Sequence, residues 1–212
     1  MTTHPDRKVE SELGAIEVHG MTRASFILKG ALATAATVGV TAAGPFVSRA
    51  LGASGSSDID ILNFALTLEY LEADFYEHKS KQVGLSGQAK AIAAEFGHEE
   101  SEHVAFLTKA IKAAGGQPAK KPAFKFPVSS PAGFLSLAYT LENTGVSAYN
   151  GAGPSIRNKT YLAAAGSIVQ IEGRHAASLG LLTGQSVTPD GAFDKALSMA
   201  QVLKIAKPFI AA

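Results

Sequence analysis

Residues 100–107 read Glu100-Ser-Glu-His103-Val-Ala-Phe-Leu107, and 72 positions later the chain reads Glu172-Gly-Arg-His175-Ala-Ala-Ser-Leu179. Upstream of each copy stands a second matched pair. Ala65-Leu-Thr-Leu-Glu69 returns as Ala138-Tyr-Thr-Leu-Glu142, and Tyr76 falls on Tyr149, both at an offset of 73. The single-residue change of offset lies in the loop between the paired segments, where a deletion costs little. This is the pattern of a duplicated helical hairpin.

Helical apolar spacing runs over about 58–80, 87–114, 131–150 and 157–183, with a weaker stretch from about 190 to 206. Asp58 or Asp60 suits the cap of the first helix, Ser86 that of the second, and Pro131 the first turn of the third. Gly115-Gly116 and Gly184 stop the second and fourth. Connectors 81–86 and 151–156 are short, so helices 1–2 and 3–4 form antiparallel hairpins. The link 115–130 holds three prolines and no helical period. Extended, it reaches at most roughly 50 Å, the full length of a bundle. The expected fold is an all-α four-helix bundle of two duplicated hairpins joined by a long crossover, with a short C-terminal fifth helix.

Residues three apart on a helix share a face, so Glu-x-x-His brings a carboxylate and an imidazole to one point. Two such helices, with one glutamate from each of the other two, give four carboxylates and two imidazoles, the ligand pattern of di-iron and di-manganese bundles. Four carboxylates facing one another inside a bundle are costly without metal. Two divalent ions, iron or manganese by the oxygen and nitrogen donors, cancel their charge. The candidate ligands are Glu69, Glu100, His103, Glu142, Glu172 and His175.

A third Glu-x-x-His, Glu95-Phe-Gly-His98, aligns with Ser167 and Gln170 and reads as a solvated pair or as support for the ligands. Glu72 aligns with Gly145 and is set aside as a ligand, and Glu99 aligns with Ile171. Glu99, Glu102 and His78 read as surface positions. Tyr76 and Tyr149 lie two turns beyond Glu69 and Glu142, either as core packers or as donors to a ligand.

Composition bounds the function. The chain of 212 residues has no cysteine, which excludes disulfides, a thiol nucleophile, cysteine-bound zinc and iron–sulfur clusters. A net charge of +1 does not fit a nucleic-acid binder. No Gly-rich phosphate loop, nucleophile elbow or triad pattern is present. Residues 1–53 differ from the rest. Arg23 and Lys29 precede an uncharged Ala/Thr/Gly-rich run over 30–48 and a small-residue exit after Arg49. These are the parts of an export signal, with a retained membrane anchor as the alternative. Thr22-Arg-Ala-Ser-Phe-Ile27 resembles a twin-arginine leader, with Ala24 where the second arginine would stand. The expected division is a leader over 1–53 and one bundle domain over 54–212.

The segments ILNFALTLEYLEADFY, HEESEHVAFL, LAYTLENTGVSAYNGA and IVQIEGRHAASL resemble the exported ferritin-like domain family. That family includes bacterial proteins labelled desiccation-related and is distantly related to bacterioferritin, rubrerythrin and manganese catalase. The resemblance covers about 58–210. It implies a ferritin-like fold and a dinuclear metal-carboxylate site that handles oxygen, peroxide or metal ions in stress protection. Catalase- or ferroxidase-like oxidoreductase chemistry is one version of that reading. A non-enzymatic stress protein whose metal pair stabilises the bundle, and iron storage, are the competing ones. Location would be periplasmic or at the cell surface, with membrane association through the leader and a homo-oligomer both left open.

Overall fold

The computed structural model describes residues 57–211, and the expected leader over 1–53 lies outside them. Among the described residues, four long helices form a bundle and no strand occurs. No helix among them is long and apolar enough to cross a membrane.

Helix α1 spans Asp58–Asp74. It runs on through a π-helical turn, Phe75–Lys79, and one last α turn, Ser80–Gln82. Its cap is Ser57, not Asp58 or Asp60. Ser57 and Asp60 form a reciprocal capping box, while the Asp58 carboxylate accepts from the backbone N–H groups of Arg157 (2.9 Å) and Asn158 (2.8 Å). Asp58 therefore ties the start of α1 to the start of the fourth helix. Helix α2 spans Gly87–Ala113, with Ser86 at the cap position but no side-chain capping bond. Helix α3, Pro131–Ala152, starts with proline in its first turn and takes a cap from Ser130. Helix α4, Lys159–Thr183, is capped by Asn158 and stops at Gly184, whose φ of 70° suits glycine.

The dominant packing is α1 on α2 and α3 on α4, which are the two hairpins the repeat marks. The crossover is held along α1 by side chains. Asn63, 1% exposed, donates to the Gln117 carbonyl at 3.2 Å and accepts from Ala119 N–H at 2.6 Å. Further along, Lys121 pairs with Asp74 at 2.5 Å, and Phe126 meets Phe75 edge-on at 5.0 Å. Phe75 itself stacks on Phe134 of α3, with centroids 4.4 Å apart. A π turn widens the helix by a residue, and both Phe75 and Tyr76 end up buried within it.

The fifth helix is shorter than its apolar pattern predicts. Helix α5 spans only Met199–Ala206, opened by a capping box of Ser198 and Gln201. Pro189 and Gly191, with φ 85°, keep the preceding stretch out of helix. That stretch packs down on α3 instead: Leu197 N–H donates to the Ser147 carbonyl at 2.9 Å. A Cβ on Gly151 would lie 1.9 Å from the Leu197 carbonyl oxygen, so only glycine permits this approach. The C-terminus closes on the crossover, through Lys125 N–H to the Phe209 carbonyl and Ala211 N–H to the Ala123 carbonyl, each at 2.8 Å.

Candidate metal centre

Five glutamates meet in the middle of this bundle. Glu69, Glu72, Glu100, Glu142 and Glu172 are each at most 3% exposed, and His175 is 2% exposed. The His103 side chain is 11% exposed. Their donor atoms form three groups, in each of which the atoms lie within 4.8 Å of one another. These are Glu69, Glu100, His103 and Glu172; Glu100, Glu142 and His175; and Glu72, Glu142 and Glu172. All six residues marked by the repeat thus come together, and Glu72 joins them.

The two halves hold one another's carboxylates. Tyr76 on α1 donates to Glu142 on α3 at 2.5 Å, and Tyr149 on α3 donates to Glu69 on α1. Each tyrosine therefore does more than pack: it fixes the glutamate of the opposite hairpin. Each histidine meets carboxylates of both hairpins. His103 Nδ1 lies 3.1 Å from both Glu69 and Glu100 and 3.5 Å from Glu172. His175 Nδ1 lies 3.0 Å from Glu100 and 3.2 Å from Glu142. In both cases Nδ1 faces the carboxylates, at the place where a cation would sit.

Electrostatics show how much this arrangement costs. Burial raises Glu72 well above the usual carboxylate range, and the charges of Glu142, Glu100 and Glu69 add to the shift. Burial also raises Glu172, reinforced by Glu100 and Glu72. Glu100 is pushed up to about 8 by burial, against the pull of both histidines. Glu69 alone goes the other way: burial opposes its charge, but hydrogen bonding with His103, Glu100 and Tyr149 holds it low. Burial works against the charged histidines too, yet the carboxylates outweigh it and lift His103 to about 10 and His175 to about 11. Burial and the adjoining glutamates raise both tyrosines, which keeps them as donors.

The residues fit a metal ion. Glu100 Oε1 and both oxygens of Glu172 are buried and accept no hydrogen bond, and Glu100 Oε1 lies near His175 Nδ1 without bonding geometry. Each such orphan costs about 1–3 kcal/mol or more, and one cation can partner several at once. The space is also cut for it. A Cβ on Gly145 would lie 2.5 Å from Glu172 Oε2 and 3.4 Å from Glu72 Oε1.

Two positions lie elsewhere than the repeat suggests. Glu72, which the repeat aligns with Gly145, is buried beside Glu142 and Glu172, while the missing Cβ of Gly145 makes room for the Glu172 carboxylate. Glu69-x-x-Glu72 spacing on one face, opposite a mid-helix glycine that costs about 1 kcal/mol, is the signal that pointed to it. Glu99 is no plain surface charge either: its carboxylate lies 2.6 Å from His175 Nε2, with the side chain 38% exposed. A carboxylate only accepts, so Nε2 carries a proton, and Nδ1 is the nitrogen that would offer a lone pair to an ion once its own proton leaves. Phe96 stacks on the same imidazole at 3.8 Å. Glu95, His98, Glu102 and His78 are exposed, as expected of surface positions.

The family model for a ferritin-like domain matches residues 57–185, which contain all seven of these side chains. The chain belongs to the ferritin-like domain family. Among solved structures, this ferritin-like chain is similar to a conserved hypothetical protein, rv2844, from Mycobacterium tuberculosis. They share 18% identity at a TM-score of 0.56, over 65% of this chain and 93% of that one. It is also similar to a ferritin-like, diiron-carboxylate protein from Bacillus anthracis str. Ames. There the identity is 22% and the TM-score 0.52, over 66% of this chain and 99% of that one. At these identities the likeness establishes the fold. No curated protein matches the chain in sequence.

Proposed function

We propose that this ferritin-like protein is exported and uses a dinuclear iron or manganese centre to handle oxygen, peroxide or metal ions in stress protection. One observation carries the reading: two histidines present Nδ1 to a set of buried glutamates of which three oxygens accept no hydrogen bond. Glu69, Glu100, His103 and Glu172 would hold one ion, and Glu100, Glu142 and His175 the other. Tyr76 and Tyr149 orient Glu142 and Glu69, and Glu99 orients His175. Oxygen and nitrogen donors without sulfur suit iron or manganese, and the Bacillus anthracis relative is itself described as a diiron-carboxylate protein. Such a pair, when bound, supplies coupled changes of oxidation state. The protein supplies buried carboxylates and neutral tyrosine donors around it.

Complete burial of Glu100, Glu142 and Glu172 favours one second reading, in which the metal serves only to stabilise the bundle. Metal analysis of the purified chain, followed by iron(II)-oxidation and peroxide-consumption assays, separates the two. Two ions per chain with turnover supports the oxidoreductase. Two ions with no turnover and a large metal-dependent rise in Tm supports the structural role. No bound metal overturns both. Export rests on the composition of residues 1–53. Intact-mass analysis from the native host is expected to find a start near residues 54–57, and a species retaining Met1 in the cytoplasm overturns it.

A further inference from the structure

We infer that the groove at the tip of the α1–α2 hairpin is a binding site for a small organic oxyanion, a carboxylate or phosphate on a short apolar body. The groove has a volume of about 580 Å³, within the range of about 300–1,000 Å³ typical of small-molecule sites. Tyr76, Glu77, Ser80 and Lys81 border it from the turns that continue α1, and Gly84 and Leu85 border it from the loop. Helix α2 forms the other wall with two rows of residues spaced four apart. Ala93, Gly97 and Ser101 make one row, and Lys90, Ala94 and His98 the other.

Small side chains create the space. A Cβ on Gly97 would lie 2.9 Å from Tyr76 Cβ, so α2 runs close against the π turn, and the alanines at 93 and 94 leave the groove unfilled. Tyr76 adds an apolar wall, because its hydroxyl is committed to Glu142, and the buried Leu85 adds another. Charge at the rim points to the ligand. Lys81, in the last turn before the loop, and Lys90, in the first turn of α2, are both exposed. Among the described residues neither is in an ion pair, whereas Lys121 and Lys195 are paired with Asp74 and Asp190. His98 adds an imidazole donor about two turns along from Lys90. Glu77 is the one carboxylate on the groove, so a cation would meet it against two ammonium groups, and an anion is favoured. Apolar walls suit an organic body better than a bare ion, and two lysines suit one oxyanion group better than a polyanion. His98 belongs to the third Glu-x-x-His, which the metal centre leaves unused. None of the charged groove residues is a donor in the metal groups, so failure of either site leaves the other standing.

Isothermal titration of the full chain with benzoate, phenyl phosphate, inorganic phosphate and the uncharged benzamide tests this. The expected result is saturation at one benzoate or phenyl phosphate per chain, with benzamide at least about tenfold weaker. The tighter of the two organic anions identifies the head group. Lys81→Glu and Lys90→Glu reverse the charge at the rim, and each is expected to weaken that anion by at least about tenfold. Lys112→Glu, at the far end of α2, should leave the affinity unchanged. Absence of saturable binding of both organic anions up to about 10 mM overturns the site. Benzamide binding as tightly as benzoate overturns recognition of charge, and inorganic phosphate binding as tightly as phenyl phosphate overturns the organic body. Affinity unchanged in both lysine variants overturns the location. Should either charge reversal fail to fold, Lys81→Met and Lys90→Met read the same loss.

Discussion

The hairpin α1–α2 and the hairpin α3–α4 carry the same Glu, Tyr and Glu-x-x-His frame, and they differ where it matters most. Glu72 stands opposite Gly145, and Glu99 opposite Ile171. In the matched positions each half supports the other, tyrosine to glutamate in both directions. In the mismatched ones the first hairpin supplies a fifth carboxylate and a partner for His175, while the second supplies space. Duplication thus gives a symmetric set of donors, and two departures from symmetry make its two ends unequal.

The strongest way to break the comparison is to remove a member of the symmetric set. Glu142→Ala takes away the carboxylate that Tyr76 and His175 both contact. We expect bound metal to fall by at least one ion and the Tm gain on metal addition to collapse, because binding and folding are linked. The orphaned Tyr76 hydroxyl adds about 1–3 kcal/mol of destabilisation even without metal. Metal content by mass spectrometry and Tm with and without Mn²⁺ check this. Unchanged metal content would remove Glu142 from the centre.

Next comes the space itself. Gly145→Ala drives a methyl against Glu172 Oε2 and is expected to weaken metal binding by about 10–100-fold. Gly151→Ala crowds the Leu197 carbonyl on the same helix, away from the metal donors. It should cost about 1–3 kcal/mol of stability while leaving metal stoichiometry unchanged. Isothermal titration and thermal melts on the two variants measure both. Equal metal loss in the two would mean that any disturbance of α3 suffices, and the opening at Gly145 would have no special role.

The protons held by the cluster predict a pH dependence of a definite sign. Glu72, Glu100 and Glu172, and both histidines, bind protons more tightly folded than unfolded. For groups raised in this way the stabilisation is full below the unfolded value and is lost as pH rises through the folded one. Stability of the metal-free chain is therefore expected to fall from the ordinary carboxylate value of 4.5 through about 8, as Glu100 gives up its proton. It falls further toward about 10 and 11, as the histidines do. Glu69, held low, acts in the opposite sense at acid pH only. Metal replaces these protons, so the slope should flatten in excess Mn²⁺. Melts of the metal-free and Mn²⁺-loaded chain across that range check it. Parallel slopes would contradict it.

The smallest effect belongs to Glu99. Glu99→Gln keeps the volume but weakens the hold on His175 Nε2. It should lower affinity at the His175 position by about tenfold and leave the His103 position intact. A titration that resolves the ions shows whether the loss is confined to one of them.

The bundle and its six shared donors were legible because they lie on a repeat with helical spacing, which fixes both the face and the partner. The same repeat hid Glu72. Aligning it with Gly145 reads a mismatch as an exclusion, whereas in the folded chain Glu72 is buried beside Glu142 and Glu172. Glu99 was hidden for a different reason. Its side chain is partly exposed and reaches His175 on another helix, a contact that no spacing within α2 records. The fifth helix was overextended because apolar period does not register the backbone demands of Pro189 and Gly191 or the box at Ser198 and Gln201. Ser57 took the cap expected of Asp58 because Asp58 is used across the bundle, on the backbone ahead of α4.

The central claim, that this carboxylate and histidine cluster holds a metal pair, is most directly tested by crystals of the full chain grown with Mn²⁺ and measured at the manganese absorption edge. The account predicts two anomalous peaks inside the bundle, roughly 3.5–4 Å apart, one beside His103 Nδ1 and the other beside His175 Nδ1. Peaks confined to surface carboxylates, or none within reach of either histidine, would contradict it.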